Sequence, residues 1–177
     1  MATTARGTHS LEAWVRAAQR GDRRAFGVLY EQMAPVVHGL LLSRVQTFEV
    51  SDLVQDVFAR ALGRLASLHD PAAFPGWLCS IARNTAIDHL RREPPRPVHP
   101  RQTPYALASH VADARRVLES IRALPEAYRE PLVLRLVEGL SGPEIATKTG
   151  LTPGSVRVNL SRGMKRLRES LGVEHHA

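Results

Sequence analysis

Between Thr152 and Arg168 the chain gathers side chains that can read the edges of nucleic-acid bases. Arg157 and Arg162 can each donate two hydrogen bonds to guanine, and Asn159 can both donate to and accept from adenine. Ser155 and Val158 stand among them within reach of the same groove, and Lys165 and Arg166 follow at positions that suit phosphate oxygens. Phosphate contacts give affinity and salt dependence without sequence choice. A second group runs from Trp77 to Arg92, where Trp77, Ile81, Asn84, Asp88 and Arg91 recur along one side of a helical pattern with Arg83 and Arg92 beside it. Asn offers a donor and an acceptor to a base edge and Asp accepts from an exocyclic amine, whereas a purely structural helix surface needs neither. Trp77 has two readings, core packing and contact. A third group, Asp52, Gln55 and Asp56, lies on the polar side of another helical pattern. The positive end of a helix dipole accounts for Asp52 in the first turn and less well for Asp56 beyond it.

These side chains need helices to hold them, and the sequence marks where such helices start and stop. Ser141 and Glu144 stand at capping-box spacing, Gly150 can supply a positive φ, and Thr152-Pro153 caps and opens the next helix. The result is a helix-turn-helix whose second helix carries an apolar stripe, Val156, Leu160, Met164 and Leu167, behind its basic face. Gly163 should cost that helix up to about 1 kcal/mol relative to alanine. Upstream, one helix runs from Leu11 to a stop at Gly21, and a second follows Asp22 with Pro35 and Gly39 expected to bend or interrupt it. A third starts with Ser51 as its N-cap, and its core face is Leu53, Val54, Val57, Phe58, Ala61, Leu62 and Leu65. The turn from His69 to Gly76 leads into a fourth helix, Trp77 to Arg92. Behind the prolines a helix resumes around Val111 to Leu124, and Pro131 should kink or split the segment from Glu126 to Glu138.

The composition fits this reading. Apolar residues make up 44% of 177 residues but aromatics only 5%, so the fold class is all-α, arranged as two small helical domains. The expected divisions are a front domain over 10–92, a linker over 93–110 and a rear domain over 111–172. Prolines at 94, 95, 97, 100 and 104 give the linker extended character. At roughly 3 Å per residue it could reach on the order of 50 Å. A net charge of +7 suits a polyanionic partner. Cys79 is the sole cysteine, residues 1–9 carry no signal-peptide core, and no apolar run is expected to span a bilayer, so the expected location is cytoplasmic, without membrane insertion. Cys79, His89, Asp88 and the Asp52 and Asp56 pair have no partners at catalytic spacing, and the histidines, His175 and His176 included, form no ligand pattern. Neither catalysis, nor a metal, nor a cofactor is expected.

With these elements in place, particular strings carry a resemblance. Ser51-Asp52-Leu53-Val54-Gln55-Asp56-Val57-Phe58 and Trp77-Leu78 leading to Ile81-Ala82-Arg83-Asn84-Thr85-Ala86-Ile87-Asp88 resemble sigma region 2. Leu124-Pro125-Glu126, Arg129-Glu130, Glu138-Gly139-Leu140-Ser141 and Glu144-Ile145-Ala146 resemble sigma region 4. The chain thus resembles the extracytoplasmic-function (ECF) RNA polymerase sigma factors of the sigma-70 family, in their minimal two-domain form. That resemblance implies a non-enzymatic initiation factor that joins core RNA polymerase and directs it to promoters. Asp52, Gln55 and Asp56 would dock on the beta-prime clamp helices, and the rear domain on the beta flap. The helix holding Trp77, Arg83, Asn84, Asp88, Arg91 and Arg92, with the turn Leu68 to Phe74, would recognise the minus-10 element and capture a base flipped from the non-template strand. Ser155, Arg157, Val158, Asn159, Arg162, Lys165 and Arg166 would meet the minus-35 element. An anti-sigma factor is an expected partner. The family often has a basic residue, a small one and arginine at positions 157–159, and alanine at 163, so Asn159 and Gly163 are departures. The alternative is a helix-turn-helix operator-binding regulator without sigma activity, with a ligand pocket or dimer seam in its front half.

Overall fold

A computed structural model of the chain describes residues 10–92 and 105–172, all helices and turns. The proline segment 93–104 lies outside the described residues. The front half contains α1 (Leu11–Gln19), α2 (Arg23–Leu42), α3 (Val50–Arg64) and α4 (Phe74–Arg92). The rear half contains α5 (Tyr105–Ala123), α6 (Glu126–Leu136), α7 (Gly142–Thr149) and α8 (Pro153–Leu171).

Side-chain caps set several helix starts. Ser10 Oγ accepts from the Ala13 amide at 3.3 Å, and Asp22 Oδ1 accepts from the amides of Arg24 and Ala25 at 2.8 and 3.2 Å. Ser51 is not the N-cap of α3. A 3-10 turn, Thr47–Glu49, feeds straight into that helix, and the Glu49 carboxylate accepts from the Gln46 amide at 3.1 Å, so the start is capped upstream of the serine. Pro71–Ala73 likewise extends the approach to α4, which begins at Phe74 rather than Trp77. α2 runs unbroken through Pro35 and Gly39, and α6 through Pro131. α5 starts at Tyr105, inside the stretch expected to be linker.

Leu29, Met33, Val36 and Leu40 of α2 meet Val57 and Phe58 of α3 and Phe74, Leu78 and Ala82 of α4 in the front core. Each of the side chains larger than alanine contributes on the order of 1.5–3 kcal/mol when fully buried. Leu62, expected in that core, is 55% exposed, because it falls off the buried stripe marked by Leu53, Val57 and Ala61. α2 is long and apolar enough to cross a bilayer, contrary to expectation. Half of that stretch is buried against neighbouring helices.

The two halves do not hang apart: α2 and α4 pack against α6 and α7, and one apolar core runs through both. Leu132, Val133 and Leu134 of α6 are fully buried. Glycines allow the approach. A Cβ on Gly39 would stand 2.7 Å from Leu134 Cδ2, and one on Gly150 only 3.4 Å from Gly76 Cα. Polar bonds cross the same seam: Arg122 Nε–H donates to Leu42 O at 3.0 Å, Lys148 Nζ to Gln32 O at 3.1 Å, and the Cys79 thiol to Lys148 O at 3.3 Å. Arg44 and Arg83 of the front half close on Glu130 of the rear half, which is 5% exposed. A buried pair of this kind contributes little net stability, but removing one partner costs about 3–5 kcal/mol.

Candidate nucleic-acid interface

The rear helix-turn-helix forms as its caps require. The Ser141 amide donates to Glu144 Oε2 at 2.8 Å, and Ser141 Oγ accepts from the Glu144 amide at 3.4 Å. Ser141 Oγ–H also donates to Glu144 Oε2 at 2.6 Å, and this bond, with that from the Ser141 amide, holds the Glu144 carboxyl below its ordinary value of 4.5. Gly150 takes φ 76° and ends α7. Thr152 Oγ1 then accepts from the Ser155 amide at 3.1 Å and starts α8. Val156 and Leu167 are buried and Leu160 and Met164 half-buried, so the stripe faces the core.

The opposite side of α8 is free. Ser155, Arg157, Arg162, Lys165 and Arg166 are exposed, and Val158 is 41% exposed. Two residues are less free than their types imply. Asn159 is half-buried and lines a cleft between the halves with Arg44, Arg83 and Glu130. The Arg166 guanidinium lies 5.5 Å from the Tyr128 ring centroid, a cation–π contact that draws it back over α6. Gly163 has a packing reason that its helix propensity hides: a Cβ there would stand 3.0 Å from Leu132 Cδ1 and 3.1 Å from Tyr128 Cβ, so the absent methyl lets α8 lie close on α6.

In the front half, Ile81, Asn84, Ile87, Asp88 and Arg91 of α4 line a cleft of about 380 Å³ with Arg60 and Arg64 of α3. Arg60 Nη1 stands 3.7 Å from Asp88 Oδ2 and donates to Thr85 Oγ1 at 3.3 Å. The cleft therefore holds an amide and a carboxylate among three guanidinium groups. Arg60 and Arg64 escaped the sequence reading, although their i, i+4 spacing on the polar side of α3 was the available signal. Trp77 is half-buried, 6.0 Å from the Phe74 ring, and does not line this cleft. Arg92 is exposed beyond the cleft lining.

Arg83 departs furthest from expectation. It faces the rear half, where Nε–H donates to Glu130 Oε2 at 3.0 Å and Nη2–H to Oε1 at 2.6 Å. Those bonds raise its already high pKa further. The turn Leu68 to Phe74 is held from α1, since Gln19 Nε2 donates to Leu68 O at 2.7 Å and Leu65 O at 3.1 Å. Asp70 Oδ1 accepts from the Ala72 amide at 3.0 Å within it. Gln19 was invisible as a functional candidate because nothing local distinguishes one amide side chain near a helix end. Asp52, Gln55 and Asp56 share one exposed face of α3, as their spacing requires. Among the described residues no His, Cys, Asp and Glu side chains cluster as metal ligands.

Comparison with known proteins accounts for this arrangement. Residues 29–94 match the family model for Sigma-70 region 2, and residues 114–167 that for Sigma-70, region 4. A probable RNA polymerase sigma factor, RfaY, of Xanthomonas campestris is 34% identical over 87% of this chain, which spans 42% of that relative's length. The ECF RNA polymerase sigma-E factor of Haemophilus influenzae is 30% identical over 90% of this chain and 94% of its own. The solved structure of CnrH in complex with the cytosolic domain of CnrY superposes with a TM-score of 0.67 and 28% identity, covering 93% of this chain and 99% of that one. The chain belongs to the sigma-70 family and is an ECF RNA polymerase sigma factor.

Proposed function

We propose that this sigma factor joins core RNA polymerase in the cytoplasm through both halves and reads one promoter at two places. The exposed Asp52, Gln55 and Asp56 face of α3 meets the beta-prime clamp helices, and the rear half meets the beta flap. Asn84 and Asp88, rimmed by Arg60, Arg64 and Arg91, receive the minus-10 strand, with the turn Leu68 to Phe74 taking a flipped base. Trp77 and Arg92 flank that strand. Flipping costs a few kcal/mol, which stacking and hydrogen bonds in a cleft must offset. Ser155, Arg157, Val158, Asn159 and Arg162 enter the minus-35 major groove, where each good bidentate contact contributes about 1–3 kcal/mol of discrimination. Lys165 and Arg166 lie on phosphates. The chain contributes recognition and strand opening, while phosphodiester chemistry belongs to the polymerase.

The observation that carries this reading is the pairing, on one chain, of a guanidinium-rimmed Asn84 and Asp88 cleft with an open basic face at the start of α8. The sigma factor RpoE of Bartonella quintana, which shares the fold, is held in complex with the anti-sigma factor NepR, and the same kind of partner is proposed here. The test is reconstituted run-off transcription: core polymerase plus this chain should initiate from selected members of a promoter library, and core alone should not. Tight binding to a duplex operator without any association with polymerase would instead identify a regulator.

A further inference from the structure

We propose that Val158 reads the C5 methyl group of one thymine in the minus-35 element, so that this chain selects a 5-methylpyrimidine at that position. The inference rests on the major-groove role given above to α8. Its basis is where the valine stands. Of the large apolar side chains of α8, Val156 and Leu167 are buried and Leu160, Met164 and Leu171 half-buried, whereas Val158 is 41% exposed. At about 100° per residue, Val158 lies about 180° around the axis from the mean direction of Val156, Leu160 and Leu167. It therefore occupies the crest of the open face, near the start of the helix, where base edges are met. A valine there buries nothing within the chain and forms helix less readily than alanine, lysine or arginine. Folding does not account for it.

The side chains around it say what it meets. Arg162 and Lys165 fall within about 40° of Val158, one on either side. A single apolar group between cations offers no patch for a protein partner to cover. It matches a duplex, whose one apolar major-groove group, the thymine methyl, lies among donors, acceptors and flanking phosphates. Adenine, guanine and cytosine present polar atoms or ring C–H there instead. Because valine neither donates nor accepts, opposite those bases it would strip water from polar atoms without replacing it. The neighbouring polar residues do not make the same choice. Ser155 Oγ accepts from Thr152 Oγ1–H at 2.8 Å, which ties it to the helix cap. Asn159 falls only about 80° from the buried direction and is half-buried at the flank of α8. Val158 and Arg162 remain near the crest, one suited to thymine and the other to guanine.

The test uses holoenzyme reconstituted from core RNA polymerase and the full chain. Selection from a duplex library randomised over the minus-35 region gives the element, and each thymine of either strand is then replaced singly by deoxyuridine. That exchange removes one methyl and leaves the hydrogen-bonding edge as it was. In competition binding at fixed salt, one replacement should weaken the parent about fourfold, the equivalent of about 0.8 kcal/mol for one buried carbon group. Val158→Ala should bind the thymine and deoxyuridine duplexes equally, while its association with core polymerase stays at the parent level. The exposed site and the better helix propensity of alanine keep a folding defect out of that comparison. Val158→Thr, which retains one γ-methyl, should keep discrimination of about twofold. At the sensitive position, 5-methyldeoxycytidine should bind the parent more tightly than deoxycytidine, and Val158→Ala should not tell the two apart. The proposal is overturned if the element holds no thymine that responds to loss of its methyl, or if the response survives Val158→Ala. It is equally overturned if Val158→Ala loses polymerase association with base preference unchanged, which would make the valine a protein contact. Arg162→Ala separates the two levels. An element that shifts in Arg162→Ala but ignores every deoxyuridine sinks the valine alone, and a holoenzyme that selects no minus-35 element sinks the groove role of α8 with it.

Discussion

α4 and α8 are both nineteen residues long, and both carry arginine and asparagine on a helix whose other side is core. They differ in what lies across from those residues. α8 is held from behind, by Val156 and Leu167, and leaves Arg157, Arg162 and Lys165 open. α4 is packed on two sides. One surface, with Asn84 and Asp88, opens into the cleft shared with α3, and another, with Cys79 and Arg83, is covered by α6 and α7. A helix gripped on one side keeps its other face available, whereas one gripped on two sides has part of its surface available only when its partner moves.

The comparison can be broken first at Asn84. Asn84→Ala should lower open-complex formation by about ten- to a hundredfold, the equivalent of roughly 1–3 kcal/mol, measured by permanganate footprinting. Association with core polymerase, followed by gel filtration, should stay nearly intact. Equal loss of both would make α4 a structural element. On α8, Arg157→Ala and Arg162→Ala should each relax specificity at one minus-35 position by about 1–3 kcal/mol, as read from selection of randomised promoters. Lys165→Ala should weaken all promoters alike and reduce the salt slope by about 0.9. If Lys165→Ala changed sequence preference, the division between base readers and phosphate contacts along α8 would be wrong.

Cys79 sharpens the contrast from the covered side of α4. Burial and the nearby Glu130 carboxylate push its thiol up to about 12, so it stays protonated near neutral pH. The sign follows: this contribution to stability is fully present below the ordinary thiol value of 9.0 and is lost as pH rises through the folded value. Iodoacetamide should label the closed chain slowly and Gly39→Leu at least about tenfold faster. Equal rates would mean that the seam does not control access to that surface. The smallest effect belongs to Glu144. Its depressed pKa means that the capping box stabilises α7 fully above about 4.5 and loses that contribution as pH falls through the folded value. Thermal melts of Glu144→Gln should lack that acid-side decline.

The difference between the two helices also marks what the sequence could disclose. Ser141, Glu144, Gly150 and Thr152 act on neighbours within a few residues, so the helix-turn-helix and its exposed face were legible from spacing alone. That Asn84 and Asp88 share one face of α4 was legible as well, since their one-turn spacing is local. Arg83 was legible as a cation but not as the partner of Glu130, because nothing in a chain pattern announces a contact 47 residues away. Gly39 read as a bend or interruption and Gly163 as a cost to helix propensity, whereas both let their helices, α2 and α8, lie close on α6. Leu62 obeyed the three- and four-residue rhythm yet fell outside the buried arc of α3. The start of α5 at Tyr105 leaves residues 93–104 between the halves, a stretch that cannot exceed on the order of 45 Å even when fully extended.

A chain that closes on itself yet reads two promoter elements has to open, and a distance across the seam measures this directly. Fluorophores on Glu12→Cys of α1 and Ser170→Cys of α8, both exposed positions, report it while buried Cys79 stays unlabelled. With elements about 25 base pairs apart at 3.4 Å each, energy transfer should show one short distance in the free chain and a distance longer by roughly 20 Å or more in the polymerase–promoter complex. An unchanged distance in that complex, with transcription intact, would contradict the account.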